Sequence, residues 1–176
     1  MLEASSIVDL LVESPELAVA LGLLLRAGLA WQKELSWYEY RTLHGLKRVA
    51  FPTLEALMPG NLFVNAKGGR DDAEFLTTVD ASIRETVRDL RADGGSLHLI
   101  SSIKRRPTGN GDTLTRAHVV WTDGGDQTEA YLFANDDGTT DLYAHVEASV
   151  TDPVGHLTGP QTDGDPDDIV SDAIET

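Results

Sequence analysis

No cysteine occurs among the 176 residues, so a disulfide framework, a thiolate metal site and a cysteine nucleophile are excluded together. Aromatic residues make up only 6% of the chain. Basic residues are scarce as well, 14 against 29 acidic ones, for a net charge of -15. The longest apolar run, residues 17–31, is interrupted by Gly22, Arg26 and Gly28 and falls short of the roughly 20 residues that span a bilayer. No charged segment of signal-peptide type precedes it, so the sequence predicts no signal, no membrane partner, and a cytoplasmic or virion-associated location.

The acid is concentrated at one end. Residues 1–69 carry net charge -1, residues 70–106 are balanced, and residues 107–176 carry -14. A field of that sign repels phosphate, which disfavours nucleic acid and anionic lipid as partners of the C-terminal part. Asp outnumbers Glu 18 to 11 and Arg outnumbers Lys 10 to 4. That composition suits a carboxylate-coated protein of a halophilic microbe or its virus.

Three regions are expected. Residues 1–69 read as helical: a short helix capped by Ser5 or Ser6, a helix opened by Ser14-Pro15-Glu16 and stopped at Gly28, then aromatic-rich helix over 30–44 and a segment 46–58 broken by Pro52. Leu62 to Val64 suggest a short strand. Lys67-Gly68-Gly69-Arg70 lacks the order of a nucleotide-binding loop and reads as a plain loop. The region 70–152 opens with a helix over 72–92, bearing Phe75, Leu76, Val79, Ile83, Val87 and Leu90 on one face and stopping at Gly94. Four strands follow, at 96–105, 115–122, 128–135 and 140–150, joined by short turns and therefore an antiparallel meander. The region 153–176 reads as an acidic Gly/Pro/Asp-rich tail with a short terminal helix carrying Ile169, Val170, Ala173 and Ile174. The class is α+β: N-terminal helices and one long amphipathic helix packed on a four-stranded antiparallel meander.

Turn chemistry predicts the register. A two-residue turn at Asp137-Gly138 sets Phe133 opposite Leu142, Tyr131 opposite Ala144 and Glu129 opposite Val146. A turn at Gly124-Gly125 sets Val120 opposite Glu129 and His118 opposite Tyr131. The helix at 72–92 is then expected over the Phe133 and Tyr131 face. The other face collects Trp121, Thr128, Tyr143, His145 and Glu147 as ligand-pocket candidates, with His145 and Glu147 as a base and its orienting acid. Trp31, Trp37, Tyr38 and Tyr40 are assigned to packing.

His98, His118 and His156 are scattered, with no spacing that signals a metal, and no cofactor is called for. The run Asp163 to Asp168 departs from a calcium loop at its sixth and twelfth positions. A basic patch of Arg84, Arg88, Arg91, Lys104, Arg105 and Arg106 is a phosphate-site candidate. Asp80, Glu85 and Asp89 interleave with it, which is the pattern of a solvated, salt-bridged face.

The leading expectation is a non-enzymatic interaction or assembly protein, self-associating through apolar helices or the second sheet face, or binding another protein. The alternative is a small pocket protein or enzyme of NTF2-like or cystatin-like shape using His145 and Glu147. Both analogies concern shape, which does not determine function.

Overall fold

A computed structural model describes residues 14–57, 75–99, 103–105, 110–123, 125–149 and 170. The elements are α1 (Pro15–Lys33), α2 (Trp37–Leu57), β1 (Phe75–Val79), α3 (Ile83–Ala92), β2 (Ser96–Leu97), β3 (Ala117–Asp123), β4 (Asp126–Ala134) and β5 (Thr140–Ala148). They form a mixed helix and sheet fold whose antiparallel sheet has five strands in the order β1-β5-β4-β3-β2. The expected helix 5–13, strand 62–64, loop 67–70 and acidic run 163–168 lie outside the described residues. None of the described helices is long and apolar enough to cross a membrane.

Helix ends follow capping more than glycine. α1 opens with Pro15 at its first position, as expected, but runs through Gly28 to Lys33. A glycine inside a helix costs only about 1 kcal/mol relative to alanine, less than helical residues on both sides recover. The stop comes where α2 must start. There the Ser36 hydroxyl and backbone N–H both donate to Glu39, at 2.6 and 2.9 Å, and the Glu39 N–H returns to the hydroxyl at 3.3 Å. α2 then continues past Gly45 and Pro52, where the sequence suggests an end and a break.

The expected helix 72–92 is two elements. Phe75-Leu76-Thr77-Thr78-Val79 forms an edge strand on β5, and a bulge between Phe75 and Thr77 turns Leu76 toward the core. Thr and Val favour the pleated backbone. Ser82-Ile83-Arg84-Glu85 then closes a reciprocal capping box that fixes the start of α3. The helix stops where the sequence indicates, with Gly94 at φ +91. Beyond it, among the described residues of the expected strand 96–105, strand pairing is limited to Ser96–Leu97 and one bridge between Arg105 and Leu114.

The meander β3-β4-β5 matches expectation, and so does the β3–β4 register, with His118 opposite Tyr131 and Val120 opposite Glu129. The β4–β5 register is displaced by one residue. Tyr131 faces Tyr143 and Glu129 faces His145, not Ala144 and Val146. The loop is the cause: Gly138 N–H donates to the Asn135 carbonyl and Gly138 sits at φ +92. This is a three-residue loop with its glycine in the left-handed position, rather than a two-residue turn.

One residue of slip exchanges faces. Ala117, Val119, Ala130, Leu132, Leu142 and Ala144 form the apolar face, packed against Val87 and Leu90 of α3, Leu35, Tyr40 and Val170. Burying Val87 and Leu90 contributes about 1.5–3 kcal/mol each. α3 therefore covers the face opposite to the one expected. Gly95 makes the close crossing possible, since a Cβ there would lie 2.5 Å from Val119 Cγ1 and 2.7 Å from the Leu90 carbonyl oxygen.

Candidate functional site

The other face of the sheet carries the chemistry. Strand alternation places His118 on β3, Gln127, Glu129 and Tyr131 on β4, and Tyr143, His145 and Glu147 on β5 along this one side. His98, just past β2, joins them because its N–H donates to the His118 carbonyl at 2.9 Å. The expected pocket is thereby divided. Trp121 and Thr128 face each other on the α3 side, where the Trp121 indole N–H donates to the Asp93 carbonyl at 3.2 Å. Tyr143, His145 and Glu147 stand on the opposite side.

Glu129 is the centre of the group and is 3% exposed. Its Oε1 accepts from Gln127 Nε2 at 2.7 Å, and its Oε2 accepts from the Tyr131 hydroxyl. His118 Nε2 lies 3.2 Å from Oε2, His145 Nε2 lies 3.9 Å from the same oxygen, and His98 Nδ1 lies 3.9 Å from Oε1. Glu147 Oε2 is 3.4 Å from His145 Nε2, while its Oε1 accepts from Gln127 Nε2 at 3.0 Å. Two trios therefore have ligand atoms within 4.8 Å of one another: His98, His118 and Glu129, and Glu129, His145 and Glu147.

Ring packing fixes these groups. His98 meets His118 edge-on at 5.2 Å, His118 stacks on Tyr131 at 4.2 Å, and Tyr131 stacks on His145 at 5.6 Å. A row of four rings thus crosses from the edge of the sheet to β5. Behind it, the His118 N–H donates to the buried Tyr40 hydroxyl at 3.0 Å, and Tyr40 stacks on His44.

Burial sets the charge states. Desolvation pulls the His118 pKa down, against the pull of Glu129, and the Lys47 and Lys104 ammonium groups push the same way. Burial alone would raise Glu129, but His118, then His98 and His145, outweigh it and hold it well below the usual carboxylate range. Glu129 is therefore held ionised, with the Gln127 amide and the Tyr131 hydroxyl donating to its two oxygens. The Tyr40 hydroxyl is pushed upward by its burial. A carboxylate held ionised and an imidazole whose protonation is disfavoured, as at Glu129 and His118, are in the forms that bind metal.

The basic candidates do not form one patch. Arg84, Arg88 and Arg91 line a groove with Trp37 and Val87 on the α3 side. Arg84 stands over the Tyr38 ring and Arg88 pairs with Asp89 at 2.8 Å. Lys104 instead stands over the Tyr131 ring and Arg105 over Phe51. Arg106 lies outside the described residues.

The sequence singles out His145 and Glu147, which lie 3.4 Å apart, but does not bring Glu129, His98, His118 and Gln127 to them. The signal was the period-two row Gln127, Glu129, Tyr131, which alternation puts on one face with the Tyr131–His118 pair of the β3–β4 register. The chain matches no protein-family model, no curated protein and no solved structure.

Proposed function

We propose that this is a metal-binding protein that holds a first-row divalent transition-metal ion between His98, His118 and Glu129. The observation that carries the reading is the placement of two buried imidazole nitrogens 3.2 and 3.9 Å from the two oxygens of one buried carboxylate. Zinc and similar ions bind nitrogen and oxygen at about 2.0–2.2 Å, which sets neighbouring ligand atoms roughly 3.0–3.6 Å apart. Small side-chain shifts bring the trio to that spacing. Two imidazoles with one carboxylate suit zinc, iron or manganese, whereas calcium and magnesium prefer oxygen ligands throughout.

The competing account is a hydrogen-bonded network that merely fills the interior. Titration with Zn2+ against a competing chelator, in molar salt to suppress weak binding by the acidic surface, separates the two. His118→Ala and Glu129→Gln are expected to weaken binding about tenfold or more. Wild-type binding no tighter than that of these variants defeats the reading.

A second reading, assembly through the helices, draws on a different observation. Val19, Leu23, Leu24 and Trp31 of α1 and Leu46 and Val49 of α2 are each more than half exposed. An antiparallel pair of α1 helices from two copies would cover such a stripe. Light scattering of the wild type and of Leu23→Glu tests it, and a monomer at every salt concentration removes it. The halophilic setting rests on the net charge of -15, and melting temperature against salt is its test.

A further inference from the structure

We infer that the cluster is built for two metal ions bridged by Glu129, with His98 and His118 completing an inner site and His145 and Glu147 an outer one. The inference rests on the metal-binding reading above and extends it to a binuclear centre.

The two oxygens of Glu129 serve different neighbours. Oε1 faces His98 Nδ1, while Oε2 lies between His118 Nε2 at 3.2 Å and His145 Nε2 at 3.9 Å. His145 Nε2 in turn stands 3.4 Å from Glu147 Oε2. Both trios meet the same distance limit, and Glu129 is the residue common to both. Oε2 stands between a nitrogen of each trio and is placed to bridge them, while Oε1 faces the inner site beside His98; bridged pairs of ions in general stand about 3.5–4 Å apart.

Gln127 supports this arrangement. Its one amide nitrogen donates to Glu129 Oε1 at 2.7 Å and to Glu147 Oε1 at 3.0 Å, which ties the two carboxylates together and leaves Glu147 Oε2 turned to His145. Donors of this kind orient ligands from outside the coordination sphere. Tyr131, stacked between His118 and His145, holds the imidazoles of the two sites in related planes. The carboxylates supply two negative charges against three imidazoles, and a pair of divalent cations with solvent in their remaining positions matches three protein ligands each.

The sites are inequivalent. The Glu147 side chain is 22% exposed, against 8% or less for the other four ligands. The outer ion is therefore the one that exchanges with solvent, and a chelator removes it first.

The experiment is metal analysis of the full chain loaded with Zn2+ and desalted, alongside His145→Ala and Glu147→Gln. Two zinc ions per wild-type chain, falling to one in each variant, are expected. One ion per wild-type chain that survives Glu147→Gln overturns the binuclear inference and leaves the mononuclear reading standing. No ion in the wild type overturns both, and a single ion lost with Glu147→Gln places the metal in the outer trio and overturns both as stated. Should either variant misfold by circular dichroism, electron paramagnetic resonance of the Mn2+-loaded wild type decides. A spin-coupled pair is expected, and the six-line signal of isolated Mn2+ at saturation overturns the inference.

Discussion

Glu129 and His145 stand directly opposite each other on β4 and β5, with Oε2 and Nε2 3.9 Å apart. A buried carboxylate is expensive to desolvate, and only the exchange of a whole buried ionic group for apolar residues is often neutral or stabilising, whereas removal of one partner costs stability. Glu129→Gln keeps an acceptor for Tyr131 while removing the charge. Because its surroundings favour the ionised form, the metal-free variant is expected to lose about 1–3 kcal/mol of stability, together with metal binding. A loss above about 3 kcal/mol, measured by urea unfolding, would instead assign Glu129 to the framework.

Gly138 sets that opposition through its φ of +92. Gly138→Ala places a Cβ in a left-handed backbone at a cost of about 1–2 kcal/mol, with Gly138→Asn milder. Deleting Asp136 closes a two-residue Asp137-Gly138 loop while leaving Asn135 opposite Thr139, so the opposition of Glu129 and His145 is kept. Metal binding is expected to survive both the deletion and Gly138→Ala, and its loss in a folded deletion variant would show that the register had moved.

Gly95 offers a test of the other face. An added Cβ meets Val119 Cγ1 at 2.5 Å and the Leu90 carbonyl at 2.7 Å, and the second contact is backbone that cannot rotate away. Gly95→Ala is expected to cost about 1–3 kcal/mol by overpacking, seen as a lower midpoint in denaturant. Gly125→Ala, where nothing lies within 4 Å of the added atom, is the control.

His44 predicts acid sensitivity. Burial, then the charges of Lys47, Arg48, His118 and Arg116, lower its pKa from 6.5 to about 3. The folded state thus disfavours the proton that the unfolded chain binds below pH 6.5. Its contribution is complete above that pH and is lost as pH falls toward 3, at about 1.4 kcal/mol per unit. His44→Gln is expected to flatten the stability profile between pH 6 and pH 4 by roughly that slope, and an unchanged slope would refute the assignment.

The sequence made the central meander legible because Gly124-Gly125 and the Asn135 to Gly138 run mark its turns. The β3–β4 register followed from the same glycines. β1 was hidden because Phe75, Leu76 and Val79 keep helical spacing with Ile83, Val87 and Leu90. The capping box at Ser82 and Glu85 was the stronger signal for where helix begins. The candidate site was half legible. His145 and Glu147 share a strand face whatever the pairing, but Glu129 joins them only once Asp136-Asp137-Gly138 is recognised as a three-residue loop. His118 already shares the Glu129 face in the β3–β4 register, but His98 needed the β2–β3 pairing, which two residues of strand cannot announce.

The sheet ends in brief margins, the five residues of β1 on one side and the two of β2 on the other. Open strand edges are templates for uncontrolled pairing between chains, and shortness is one way natural proteins blunt them. Among the described residues, little backbone is on offer for a neighbouring molecule to extend the sheet. Fibrous pairing through the edges of this sheet is thereby disfavoured, even with the apolar side chains of α1 and α2 exposed.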